Sequence, residues 1–139
     1  MARLGLEEIR VINRTGLPAL LGIEVVEARE GFLLSRLELN PSHLAPNGYL
    51  HGGTLVTLAD TSCGYGCVAS LPEGGTGFAT IELKANFLGT LLEGTLTCQA
   101  TLAHGGRTTQ VWDASIRDHD SGRPLALFRC TQLILYAGD

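Results

Sequence analysis

His51, Gly52, Gly53 and Asp60 have types and spacing suited to carbonyl chemistry. They open and line a segment from Gly52 to about Ser70 that reads as one long helix. Its apolar residues Leu55, Val56, Leu58, Ala59, Cys63, Cys67 and Val68 fall around most of a helical circumference. A helix apolar nearly all round is buried on most sides. Its first N–H groups have no intrahelical acceptor and lie at the positive end of the helix dipole. A start made of two glycines can therefore polarise a carbonyl or hold a developing oxyanion. Asp60 lies about two turns further in, among apolar neighbours, where a carboxylate is costly unless paired or used. Each residue also has a plainer role. Taken alone, Asp60 reads first as the cap of a helix starting at Thr61 or as a buried structural acceptor. His51 reads as a ring that orders the loop before the helix, and the glycines as turn residues.

The surrounding elements must position this segment. Leu4 to Asn13 has Leu6, Ile9 and Ile12 on one helical face, and Gly16-Leu17-Pro18 is expected to end that helix. Ile23 to Arg29 and Phe32 to Leu39 read as strands about a tight turn at Glu30-Gly31. Leu33, Leu37 and Leu39 oppose Arg36 and Glu38. After the buried helix, four strands are expected: Ala79 to Leu88, Thr95 to Leu102, Thr108 to Asp118 and Leu125 to Tyr136. In the first, Ile81, Leu83, Ala85 and Phe87 alternate with Thr80, Glu82, Lys84 and Asn86. Leu92-Glu93-Gly94, His104-Gly105-Gly106 and Asp120-Ser121-Gly122 suit hairpins, so the four strands read as hairpin-linked. A mostly antiparallel sheet can curl around the one helix. Gly64 and Gly66 each cost about 1 kcal/mol of helix stability, so something is expected to approach the backbone there.

Composition narrows the classes. The 139 residues suit a single domain spanning 1–139, and a hydrophobic fraction of 45% is that of a folded globular chain. A net charge of −4 argues against nucleic acid as a partner. Glu7 and Glu8 interrupt any signal-peptide core, and the apolar runs are too short to span a membrane, so a cytoplasmic protein is expected. Cys63, Cys67, Cys98 and Cys130 form no C-x-x-C pair and read as buried thiols, with no metal site. There is no G-x-S-x-G elbow, zincin motif or Walker loop.

The stretch from Asn47 to Asp60 resembles the His-Gly-Gly motif of hotdog-fold thioesterases. It is most similar to the branch typified by the phenylacetate-pathway (PaaI-like) and Arthrobacter-type 4-hydroxybenzoyl-CoA thioesterases. That motif places an Asp or Glu nine residues after the His, the spacing of His51 and Asp60. Asn86-Phe87-Leu88 is similar to the family's strand motif beside the CoA channel, and Gly106-Arg107-Thr108 to its later Gly-Arg turn. The resemblance covers most of the chain. It implies an α+β hotdog fold, a curved sheet of about six strands around one central helix, and hydrolysis of acyl-CoA to free acid and CoA. It implies that Gly52, in the motif with His51 and Gly53, donates its N–H to the thioester carbonyl. Asp60 is then nucleophile or general base, and Phe87, Leu88, Arg107 and Thr108 lie near the CoA arm. Asn47 joins the substrate-binding set. No cofactor is implied, because coenzyme A is part of the substrate. This chain has Ala45 where the family often has Asn or Gln, Gly64 where it often has Ser or Thr, and Gly89 where many relatives carry a cation.

One geometric consequence follows from the helix alone. Gly52 and Asp60 are about 12 Å apart along its axis. Each needs to be about 3 Å from the same carbonyl. Acting together, they require two antiparallel copies of the helix, hence at least a homodimer. The expected assembly is a homotetramer built as a dimer of dimers, with Gly64 and Gly66 permitting close helix approach between subunits. A hotdog hydratase and a non-catalytic acyl-CoA binding module are the alternatives. The first needs a His–acid pair in other motifs. The second, as a regulator's ligand domain, needs a DNA-binding segment for which the residues before the first strand are too few.

Overall fold

The computed structural model describes residues 3–138. Two short helices, α1 (Leu6–Ile12) and α2 (Gly16–Leu21), precede the hairpin of β1 (Glu24–Arg29) and β2 (Phe32–Glu38). A 3₁₀ turn at Pro41–His43 and an irregular loop lead into α3 (Gly52–Val68). Then follow β3 (Gly75–Phe87), β4 (Thr95–Gly105), β5 (Thr109–Asp118) and β6 (Pro124–Tyr136). All six strands form one antiparallel sheet in the order β1-β2-β4-β5-β6-β3, with α3 packed across its inner face. This is the expected α+β architecture. Leu55, Leu58, Ala59 and Cys63 of α3 share a core with Leu33, Leu37, Leu96, Trp112 and Ile116. No described helix is long and apolar enough to cross a membrane.

Three expectations are corrected. Gly16-Leu17-Pro18 does not simply end the first helix; it starts α2. Pro18 falls in the first turn, where a missing N–H breaks no helical bond. Gly22, at φ +88°, closes the helix.

The four later strands are not all hairpin-linked. β3 pairs with β6, not with β4, and lies at the sheet edge. The Leu92-Glu93-Gly94 turn chemistry belongs to a longer crossover. It leaves β3 with the Leu88 and Gly89 N–H groups on Leu125 O, and it meets β2 through Leu39 N–H on Gly94 O. β4, with Leu96, Cys98 and Ala100 wholly buried, takes the central place beside β2.

The alternation in β3 is broken as well. A bulge sits at Ile81, between the pairs Thr80–Gln132 and Glu82–Thr131. One extra residue reverses the faces on either side of it. Thr80 therefore shares the inner face with Leu83, Ala85 and Phe87, opposite buried Gln132, although on this edge strand Thr80, Leu83 and Phe87 stay exposed, as Ile81 does.

Gly64 and Gly66 do admit a close approach, by rings of their own sheet. A Cβ at Gly64 would lie 2.7 Å from Phe78 Cζ, and one at Gly66 2.6 Å from the Trp112 ring. At Gly66 the helix-propensity loss of about 1 kcal/mol is offset by full burial of the Trp112 ring, worth about 1.5–3 kcal/mol.

Candidate active site

The start of α3 is fixed by its own loop. His51 is the N-cap, and its Nδ1 accepts the Gly53 N–H at 2.7 Å. The His51 carbonyl accepts Thr54 N–H, and His51 N–H reaches the His43 carbonyl. The Thr54 hydroxyl donates to that same carbonyl at 2.8 Å. His43 is itself locked, its Nδ1 accepting Asn40 N–H and its Nε2 donating to Leu21 O. His51 thus has the loop-ordering role read from the sequence.

Each glycine serves a different contact. A side chain at Gly53 would put its Cβ 2.8 Å from the capping His51 Nδ1; at Gly52 the Cβ would meet the Phe87 ring at 3.0 Å. Gly53 N–H is spent on the cap. Gly52 N–H has no acceptor among the described residues, and it stands at the positive end of a helix of 17 residues. A cavity of about 420 Å³ opens at the neighbouring Gly53, its walls including Leu20, Leu21, Ser42, His51, Thr54 and Thr57. The α2 leucines in that wall had no signal in the sequence, where this stretch reads as a helix stop.

The loop before the helix is a tight reversal, with Ala45 N–H on Tyr49 O and Gly48 at φ +89°. Asn47 is exposed, and its Oδ1 accepts Tyr49 N–H at 3.2 Å. Its side-chain oxygen is thereby committed to the turn.

Asp60 is half-buried on α3, and its Oδ1 is enclosed without a hydrogen-bond partner. Burial pushes its carboxyl above the ordinary value of 3.8, and the neighbouring Thr80 hydroxyl opposes that rise. Thr80 was not legible in the sequence: simple alternation sends it to solvent with Glu82, and only the bulge returns it. Cys63, one turn on, is held well above the usual thiol range by its hydrogen bond with Cys130 and by burial. It is a thiol here, not a nucleophilic thiolate. Among the described residues no three His, Cys, Asp or Glu side chains gather as a metal ion requires.

The expected site residues do not all meet in one chain. His51, Gly52, Gly53, Phe87 and Leu88 lie at the end of the sheet where β3 finishes. Asp60 faces the middle of β3. Arg107 and Thr108 sit in the β4–β5 turn at the other end, where Ile134 N–H bonds Thr108 O and the Arg107 guanidinium stacks 5.0 Å from the Tyr136 ring. Tyr136 pairs with Gly75 at the start of β3, so about 30–40 Å of strand separates the two groups.

A family model described as the thioesterase superfamily matches residues 47–125. The chain is 35% identical to the 1,4-dihydroxy-2-naphthoyl-CoA hydrolase of Listeria monocytogenes, over 84% of this chain and 93% of that protein. It is 33% identical to the acyl-coenzyme A thioesterase PaaI of Escherichia coli, over 78% and 75% of the two chains. A crystal structure of a thioesterase from Pseudomonas aeruginosa superposes with a TM-score of 0.88 at 28% identity, covering 96% of this chain and 95% of that one. Together with the His-Gly-Gly helix start, the buried helix and the six-stranded sheet, these matches show that the chain belongs to the thioesterase superfamily, on the hotdog fold of its PaaI-like members.

Proposed function

We propose that the chain hydrolyses acyl-CoA thioesters, with Gly52 N–H as oxyanion donor and Asp60 as general base. The carrying observation is a free N–H at the start of the same buried helix that holds a half-buried carboxylate, its pKa raised by burial. Asp60 takes a proton from water, and the hydroxide adds to the thioester carbon. The oxyanion rests on Gly52 N–H. Collapse expels CoA as thiolate, which takes up the proton, leaving a free carboxylic acid. A carboxyl held above its ordinary pKa suits a base better than a nucleophile. No cofactor is needed, since CoA is part of the substrate. The 420 Å³ cavity takes the acyl group, and its Ser42, His51 and Thr57 suit one bearing hydroxyls. A hydroxylated aromatic acyl group, like that in the name of the Listeria relative, fits this lining.

The active unit in this reading is a dimer with shared sites. The strand β3 has 13 residues, an unpaired outer edge, and inner-face Leu83 and Phe87 at 42% and 54% exposure. Such an edge is a template for a second chain. Antiparallel pairing of two β3 edges sets one end against the other. It brings Gly52, Phe87 and Leu88 of one subunit towards Asp60, Arg107 and Thr108 of the second. Exposed Leu127 and Leu133 on the outer sheet face are the surface on which two dimers would join as a homotetramer.

Subunit mixing tests the mechanism. Asp60→Asn removes the base and should cost at least about a hundredfold in thiol release from a panel of acyl-CoA esters. Gly52→Pro removes the donor at a position where proline is tolerated, with the exposed Phe87 ring able to shift. Co-refolding equal amounts should restore activity to about a quarter of wild type, because one interface of each mixed dimer carries both defects and the other neither. Mixed dimers that form but stay inactive would refute the shared site. Binding without thiol release would make the protein a ligand module, and consumption of enoyl-CoA without thiol a hydratase.

A further inference from the structure

The two buried side-chain atoms without hydrogen-bond partners among the described residues are Asp60 Oδ1 and Gln132 Nε2. Both belong to groups that face one hydroxyl. Thr80 Oγ1 lies 2.6 Å from Gln132 Oε1 and donates to it. Gln132, on β6, is fully buried, and Thr80 is aimed at it by the Ile81 bulge. Bulges re-aim side chains in this way beside functional sites.

A hydroxyl has one proton to give. Given to the Gln132 carbonyl, it leaves both the carboxylate and the amide N–H₂ unpaired. Turning the amide over costs no space, since its oxygen and nitrogen are nearly the same size. Nε2 then donates to Thr80 Oγ1, and the Thr80 proton is free for the carboxylate, a stronger acceptor than an amide carbonyl. Only an amide oxygen remains unpaired, a cheaper orphan than an N–H or a charge.

We propose that Gln132, Thr80 and Asp60 form a relay in which the Gln132 amide fixes the Thr80 hydroxyl as a hydrogen-bond donor to the Asp60 carboxylate. It rests on the reading of Asp60 as the catalytic base. Gln132 and Thr80 are positioning residues, and they hold the hydroxyl contact from the sheet. Gly64 on α3 cannot make such a contact, because it carries no side chain and Phe78 fills its space.

The relay has a pH signature because few other groups within its own subunit can titrate against Asp60. An Asp60 limb that moves with Thr80 is not one set by the His51 that the shared site brings from the second subunit. On α3 there is Cys63, held as a thiol. From β4, Cys98 is pushed up to about 11 by burial. Cys130 of β6 is hydrogen-bonded to Cys63. Glu82 and Lys84 of β3 pair with Thr131 and Arg129 on the outer face, away from α3. The other residues that β2, β4 and β5 turn towards α3 include Leu33, Leu37, Leu96, Ala100, Trp112 and Ile116, all uncharged.

Thr80→Val, nearly isosteric, should fold and dimerise normally and lower kcat about tenfold to a hundredfold with KM within about twofold. Losing a donor to the charged form raises the carboxyl pKa, so the acidic limb of the kcat profile should move to higher pH. Thr80→Ser should restore both. Gln132→Met, close to isosteric, should shift the limb in the same direction. The double variant should be no worse than Thr80→Val alone, because the two residues act in series. An unmoved limb in folded Thr80→Val, with Asp60→Asn inactive, would overturn the relay while leaving Asp60 in place. An active Asp60→Asn would instead remove the base on which the relay depends. Additive losses in the double variant would show that Gln132 does not act through Thr80.

Discussion

The first turn of α3 and its later turns both use glycine to admit an aromatic ring, with opposite results. At Gly52 the ring is Phe87, 54% exposed and held by no polar contact, and the adjacent N–H is left free. At Gly66 the ring is Trp112, wholly buried, its indole N–H fixed on Gln110 Oε1, whose amide in turn donates to Ser70 O. The glycine signal in a sequence is the same in both places. What separates an open, usable helix end from a sealed one is whether the ring against it is anchored.

This contrast can be broken by adding one methyl group at each end. Gly66→Ala drives a Cβ into a ring that cannot move and should destabilise the protein by about 1–3 kcal/mol. Gly52→Ala meets a ring free to swing and gains helix propensity, so its stability should stay within about 1 kcal/mol of wild type. Thermal melting of the two variants decides it. An unchanged melting temperature in Gly66→Ala would show that the lower half of the helix is not sealed.

A smaller effect sharpens the functional side. An acid whose pKa is raised by folding binds its proton more tightly folded than unfolded. Stability therefore falls as pH rises from the ordinary carboxylate value of 3.8 through the raised one, and stays lower above it. Asn cannot ionise. Asp60→Asn should thus melt a few degrees above wild type at pH 7, the gap closing as pH drops towards 3.8. A lower melting temperature at pH 7 would mean that the carboxylate is stabilising and structural.

The smallest expected effect is at the far end of β3. Arg107 is exposed, so Arg107→Ala should raise KM for CoA esters about fivefold, but not for pantetheine thioesters with the same acyl group. Equal changes for both would take Arg107 away from the nucleotide.

The legible parts of this site were those that local pattern controls. The all-round apolar stretch from Leu55 to Val68 announced a buried helix, and its start and acid stood at fixed offsets. Period-2 alternation found the strands themselves. It misassigned Thr80 because a single inserted residue, Ile81, reverses the count, and nothing in the residue types marks the insertion. The β3–β4 connection was misread because Leu-Glu-Gly suits a hairpin whether or not the strands it joins are neighbours. Strand order is settled by which strand can be buried on both sides, a property of the whole sheet.

The edge position of β3 also has a cost in time. Its only partner among the described residues, β6, lies far along the sequence; Thr80 and Gln132 are 52 residues apart. The β1–β2, β4–β5 and β5–β6 hairpins each close a short loop, whereas β3 must wait for the last strand and a long closure. On a ribosome, residues 75–87 emerge before the strand that will hold them has been made. The carboxylate end of the site is therefore among the last parts of the chain to assemble, and amides of β3 should exchange with solvent sooner than those of β4 and β5.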